Sequence, residues 1–183
     1  MFGCSQVQQM AQQVVEKKAD VYVWDRQAGA PLFRQSVGHV MATEHYSSTV
    51  ILSQFPFTKK VGGKQATFQT GRGYNHNPPP TYTETFGYEE RRPSHMYVVS
   101  IPDPSDFYKV AGQQRAATYW QWNPKGPDET ECSSAVYLSL KAGQVPFEKG
   151  QDYTSGHLWP NTLDDWLTKD SRNTAKTGVT DVW

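Results

Sequence analysis

Three short apolar runs constrain this chain more than anything else in it. "SVGHVMAT" (Ser36 to Thr43), "STVILSQF" (Ser48 to Phe55) and "HMYVVSIP" (His95 to Pro102) are rich in β-branched residues, and each is bounded by a turn or by proline. Runs of that length and kind predict strands. A turn around His45 and Tyr46 joins the first two, so antiparallel pairing is expected. "DVYVW" (Asp20 to Trp24) and "TYWQWNP" (Thr118 to Pro124) predict two further strands.

Helical patterns lie between them. From Ser5 to Lys18, Val7, Met10, Ala11, Val14 and Val15 recur at i, i+3, i+4, i+7 and i+8, which predicts an N-terminal amphipathic helix within residues 1–19. Ser105 is placed to cap a helix through "DFYKVAGQQRAA". A helix headed by Cys132 carries Ala135, Val136, Leu138 and Leu140 and stops at Gly143. Asn161 or Thr162 is placed to cap a last helix, "LDDWLTKD". Residues 56–94, with "GRGYNHNPPPTY", read as a long Gly/Pro-rich excursion near a cleft mouth, and residues 171–183 as a loosely held tail. The sum is one α+β domain over 1–183, with a central antiparallel sheet of about five strands and the cysteine-bearing helix on one face.

Composition narrows the function classes. The 183 residues suffice for one domain with its own core. Basic and acidic side chains balance at 18 each, and the bases pair only as isolated doublets (Lys17-Lys18, Lys59-Lys60, Arg91-Arg92), which argues against a nucleic-acid partner. Cys4 and Cys132 can form at most one bridge, so no disulfide framework is expected. The N-terminus lacks the basic and unbroken apolar regions of a signal peptide, and no run approaches the length that crosses a bilayer, so stable membrane insertion is not expected. No two histidines show metal-ligand spacing on one element, so neither a metal site nor a cofactor is expected.

The chemistry centres on "GPDETECSSAVYLSLKAG". Cys132 stands where an acidic loop becomes a helix, and a helix N-terminus with a neighbouring imidazolium lowers a thiol pKa. His39 in "VGHV" is the best partner, because it interrupts an apolar strand and Gly38 leaves room beside it. Read alone, the pair is also consistent with a small buried cysteine and an unrelated histidine. His45, His76, His95 and His157 are weaker candidates.

The blocks "VGHVMATEHYSSTVILSQFP", "EERRPSHMYVVSIP", "YWQWNPKGPDETECSSAVYLSLKAG" and "GHLWPNTLDDWL" resemble, in that order, the permuted NlpC-type branch of the papain-like cysteine hydrolases, and especially the toxin effectors of type VI secretion systems. The resemblance implies a papain-like fold with Cys132 as nucleophile, His39 as base and a polar residue of the following strand, Ser53 ahead of Gln54, orienting the imidazole. The family's usual residue before the cysteine is Asn, where this chain has Glu131, and the Cys132 backbone amide is the implied oxyanion donor. The implied activity is hydrolysis of an amide bond in cell-wall (peptidoglycan) peptides of a competing bacterium. The implied route is export without a signal peptide from the cytoplasm into a target cell, with a secretion-apparatus carrier and an immunity protein as partners. An acyltransferase, lipid hydrolase or protein deamidase would use the same residues, and a binding module would keep the fold without the reaction. Cys4 offers a rival order, since it also precedes a helix and stands before His39 and Ser53.

Overall fold

Alternate residues of the first strand face two different cores, and the rest of the fold follows that division. The computed structural model describes residues 16–27, 38–57, 60–61, 64–65, 72–75, 78–154 and 156–182. In it β1 spans Lys17–Trp24. Ala19, Val21 and Val23 enter the larger core, and Tyr22 and Trp24 a smaller one, as the two-residue period of a strand requires. β2 (His39–Glu44) pairs antiparallel with β1 and sets His39 opposite Trp24. β3 (Val50–Ser53) pairs antiparallel with β2 and sets Ser53 opposite Met41.

Four short strands follow, β4 (Pro56–Phe57), β5 (Lys60–Val61), β6 (Lys64–Gln65) and β7 (Arg72–Asn75), and then helix α1 (Tyr82–Glu89). The chain returns to the main sheet as β8 (His95–Ile101), antiparallel to the other side of β1. The remaining elements are α2 (Pro104–Ala116), β9 (Tyr119–Gln121), β10 (Glu129–Thr130), α3 (Cys132–Ala142), α4 (Pro160–Ser171), α5 (Thr174–Thr177) and β11 (Val179–Asp181). The main sheet runs β11-β8-β1-β2-β3 with every pairing antiparallel. The architecture is therefore α+β around a five-stranded antiparallel sheet.

Helix α3 lies against one face of that sheet. Its Ala135, Val136, Tyr137 and Leu140 share the larger core with Val40 and Ala42 of β2 and with Phe107 and Ala111 of α2. A helix apolar over so much of its surface belongs inside. On the opposite face α1 sets Tyr82 and Phe86 over Tyr22, Trp24 and Met41, with Phe86 edge-on to Trp24 at 5.2 Å. Each such aromatic contributes about 1.5 to 3 kcal/mol through burial.

Several expected boundaries move. The N-terminal helix falls mostly outside the described residues, but Lys17 and Lys18 belong to β1, where the ladder with β8 holds them opposite Ile101 and Ser100. The 56–94 excursion is not loop throughout. It contains β4 to β7 and α1, whose start is a capping box: Thr81 accepts from the Glu84 amide and the Glu84 carboxylate accepts from the Thr81 amide. The 171–183 tail is docked. β11 extends the sheet beyond β8 with Val179 buried, and the Thr177 hydroxyl donates to the Asp170 carbonyl. Asp103, not Ser105, caps α2, because Pro104 takes the first helical position. Helix α4 likewise starts at Pro160, and Asn161 instead accepts from the Arg26 amide at 2.6 Å.

Candidate functional site

His39 begins β2 immediately after Gly38, and that order has a backbone cause. Gly38 has φ +78, and a Cβ there would press on the Trp24 carbonyl and stand 2.9 Å from the Arg26 nitrogen, so glycine alone lets β2 start against the end of β1. The imidazole turns to the α1 face of the sheet. It stacks on Phe55 at 3.9 Å between centroids, and its Nε2 lies 3.0 Å from Ser53 Oγ. Ser53 Oγ lies in turn 2.9 Å from Thr85 Oγ1 on α1. Burial holds the ring uncharged, lowering its pKa to about 3. Of the two residues proposed to orient the imidazole, Ser53 makes the contact, while Gln54 donates to the Gln114 carbonyl.

Cys132 approaches from the other side of β2, at the first position of α3. Its sulfur lies 3.8 Å from both Glu131 Oε2 and Ser133 Oγ, and the backbone of Val40, the residue after His39, favours its ionised form. Glu131 caps the helix: Oε1 accepts from the Ser134 amide at 2.7 Å and Oε2 from the Ser133 amide at 3.2 Å. The carboxylate therefore takes two of the donors that a helix N-terminus would turn toward a thiolate. It is wholly buried, which raises its pKa to about 7 against the pull of those amides.

This reverses the expectation that the helix start lowers the thiol pKa. Burial, then the Glu131 carboxylate and more distantly Glu89, push the Cys132 thiol far above its ordinary range, against the lowering effect of Val40 and Ser133. Glu89 closes α1, is buried itself, and has its pKa raised to about 7 by desolvation, with Oε2 making no hydrogen bond. At rest the thiol and the imidazole are both neutral, and Glu131 and Glu89, whose charges act on the thiol, titrate near 7. Among the described residues no hydrogen bond joins Cys132 to His39. The structure brings His39 to Ser53, and Cys132 to the backbone next to His39.

The residues missed by sequence reasoning are Thr85, Glu89 and Phe55. Thr85 and Glu89 sit on α1, and the unread Thr81–Glu84 capping box was the signal for that helix. The other histidines lie elsewhere. His45 Nδ1 meets Asp20 at 2.6 Å, His157 Nδ1 donates to the Trp122 carbonyl at 2.6 Å, and His95 faces Asp164. Cys4 and His76 fall outside the described residues. Among the described residues, types that bind metals converge at Asp25, His95 and Asp164 and not around Cys132. No protein-family model, curated protein or solved structure matches the chain.

Proposed function

We propose that the chain is a papain-like, permuted NlpC-type cysteine hydrolase that cuts an amide bond in bacterial cell-wall peptides, acting as an antibacterial effector delivered by a secretion apparatus. The observation that carries the reading is the His39 Nε2 to Ser53 Oγ contact on adjoining strands, with a cysteine at the head of α3, the helix packed against the same strand β2. A cysteine, a histidine and a hydroxyl partner of that histidine are the residue types that thiol hydrolysis uses, which supports the reading. The substrate and delivery route rest on the motif resemblance alone.

In this reading Nε2–H donates to Ser53 and the Ser53 hydroxyl donates to Thr85, which leaves the Nδ1 lone pair free to act as base. The imidazole and α3 lie on opposite faces of the sheet, so this reading requires His39 or Cys132 to move past the start of β2 when substrate binds. His39 takes the thiol proton as sulfur attacks the scissile carbonyl, and the Cys132 amide donates to the developing oxyanion. The proton passes to the leaving amine, and a thioester remains. Water, deprotonated by His39, then attacks the thioester and releases the carboxylic acid and the free thiol.

Mass analysis of peptidoglycan digests tests this, with lipid extracts as a parallel arm. Wild type should release peptides with new amine and carboxyl ends, and Cys132→Ala and His39→Ala should release none while Cys4→Ser remains active. An active Cys132→Ala protein would remove the proposal, and products only from lipid would move the same site to acyl chemistry. The burial of Cys132 favours one second reading, a non-catalytic module with a core cysteine. Under that reading Cys132→Ala changes binding and stability but no covalent product.

A further inference from the structure

We propose that Asp25, His95 and Asp164 form a binding site for a divalent transition-metal ion, apart from Cys132 and independent of the reaction assigned to it. The three residues come from the end of β1, the start of β8 and the first turns of α4. One ligand atom from each, a carboxylate oxygen, an imidazole nitrogen and a carboxylate oxygen, lies within 4.8 Å of the other two. Tetrahedral ligands about 2.1 Å from one ion stand about 3.4 Å apart, so a closure of no more than about 1.4 Å would bring all three onto one ion.

The His95–Asp164 contact by itself is an ordinary polar pair. Two features go beyond it. His95 Nδ1 stands 3.0 Å from both Asp164 oxygens, facing the carboxylate symmetrically instead of committing to one oxygen. Asp25 Oδ1 is buried and makes no hydrogen bond, although its carboxylate adds repulsion to that of Asp164. Burying a carboxylate oxygen beside a second carboxylate without a donor is costly. A bound cation removes that cost. Arg91 does not donate to that oxygen, since its guanidinium meets Asp25 at the backbone carbonyl.

The surroundings suit a ligand set. Tyr97 Oη donates to Asp164 Oδ1 at 2.9 Å and lies 2.6 Å from Thr168 Oγ1, so the carboxylate is oriented from behind, as outer-shell partners orient metal ligands. The His95 side chain is 34% exposed while that of Asp164 is 9% exposed, which gives the ion a way in from solvent to a largely enclosed oxygen. One imidazole and two carboxylates favour zinc, cobalt or manganese over calcium, and three protein ligands leave coordination positions open. Sequence spacing could not show the site, because its residues sit on three separate elements.

The test is calorimetric titration of the chelator-treated full chain with Zn²⁺ and, separately, Co²⁺, in a Cys132→Ala, Cys4→Ser background that removes competing thiols. One ion per chain should bind, and Asp25→Asn and His95→Ala should each weaken binding at least about 10-fold. Asp25→Asn is the safer variant for folding, since Asp25 Oδ1 has no hydrogen bond to lose. The bound Co²⁺ spectrum should shift in both variants. No saturable binding, or binding that Asp25→Asn and His95→Ala leave unchanged, would overturn the site.

Discussion

Replacing Glu131 by glutamine should reverse its effect on stability between acid and alkaline pH. The folded protein raises the Glu131 carboxyl from 4.5 to about 7 by burying it. A raised acid pKa means the folded state holds the proton more tightly than the unfolded chain does. The associated stability is fully present below the unfolded value and is lost as pH rises through the folded one. At about 1.4 kcal/mol per pH unit the loss comes to about 3 kcal/mol. A glutamine in its place cannot ionise, but it keeps only one oxygen for the two amides that Glu131 caps, which costs about 1 kcal/mol. Glu131→Gln should therefore be about 1 kcal/mol less stable than wild type near pH 3.5, roughly equal to it at pH 5 and about 2 kcal/mol more stable at pH 8. Urea unfolding at about pH 3.5, 5, 6.5 and 8 reads this directly, and other titrating groups, His39 and Glu89 among them, largely cancel in the difference. A difference that stays constant across that range would refute the assignment of a buried, proton-holding carboxyl to Glu131.

His39 should act in the opposite sense. Its pKa is lowered from 6.5 to about 3 by burial, so its contribution is present above pH 6.5 and lost as pH falls toward 3, and His39→Gln should flatten the acid side of the unfolding profile. Ser53→Ala should lower kcat on the proposed substrate by about 10-fold or more with little change in KM, while Gln54→Ala should do less, since the imidazole contact belongs to Ser53. Equal effects of the two substitutions would show that the Ser53 contact does not orient the base.

The central sheet was legible because its strands alternate or run apolar between clear stops. Val21, Val40, Tyr97 and their neighbours carry the period that packing demands. Helix α1 was not legible as part of the fold, because three prolines directly precede it and its apolar stripe is short. The decisive local signal was the Thr81–Glu84 box. β11 was missed because three residues at a chain end have no period to read, and only the unpaired side of β8 gives them a place. At the site, the pairing of His39 with Ser53 or Gln54 came from the motif resemblance, and the antiparallel β2–β3 ladder brings Ser53 to the ring. The opposition of Glu131 to a Cys132 thiolate was also readable, since a neighbouring carboxylate disfavours a second negative charge, but the burial of both groups was not. A helix N-terminus attracts negative charge, and the chain already satisfies that attraction with Glu131.

That substitution of a carboxylate for the amide expected before the cysteine changes how the site must operate. A preformed thiolate would place its charge in a buried space beside Glu131 and Glu89, which is why the thiol stays protonated. The neutral imidazole, with its pKa near 3 at rest, has no charge with which to stabilise a thiolate in advance. In the proposed hydrolase reaction, proton transfer and attack on the carbonyl would therefore be coupled, with the imidazolium forming only as the oxyanion develops and the helix amide meets it. Under that proposal the burial of Cys132 would delay its ionisation until a substrate carbonyl is in place.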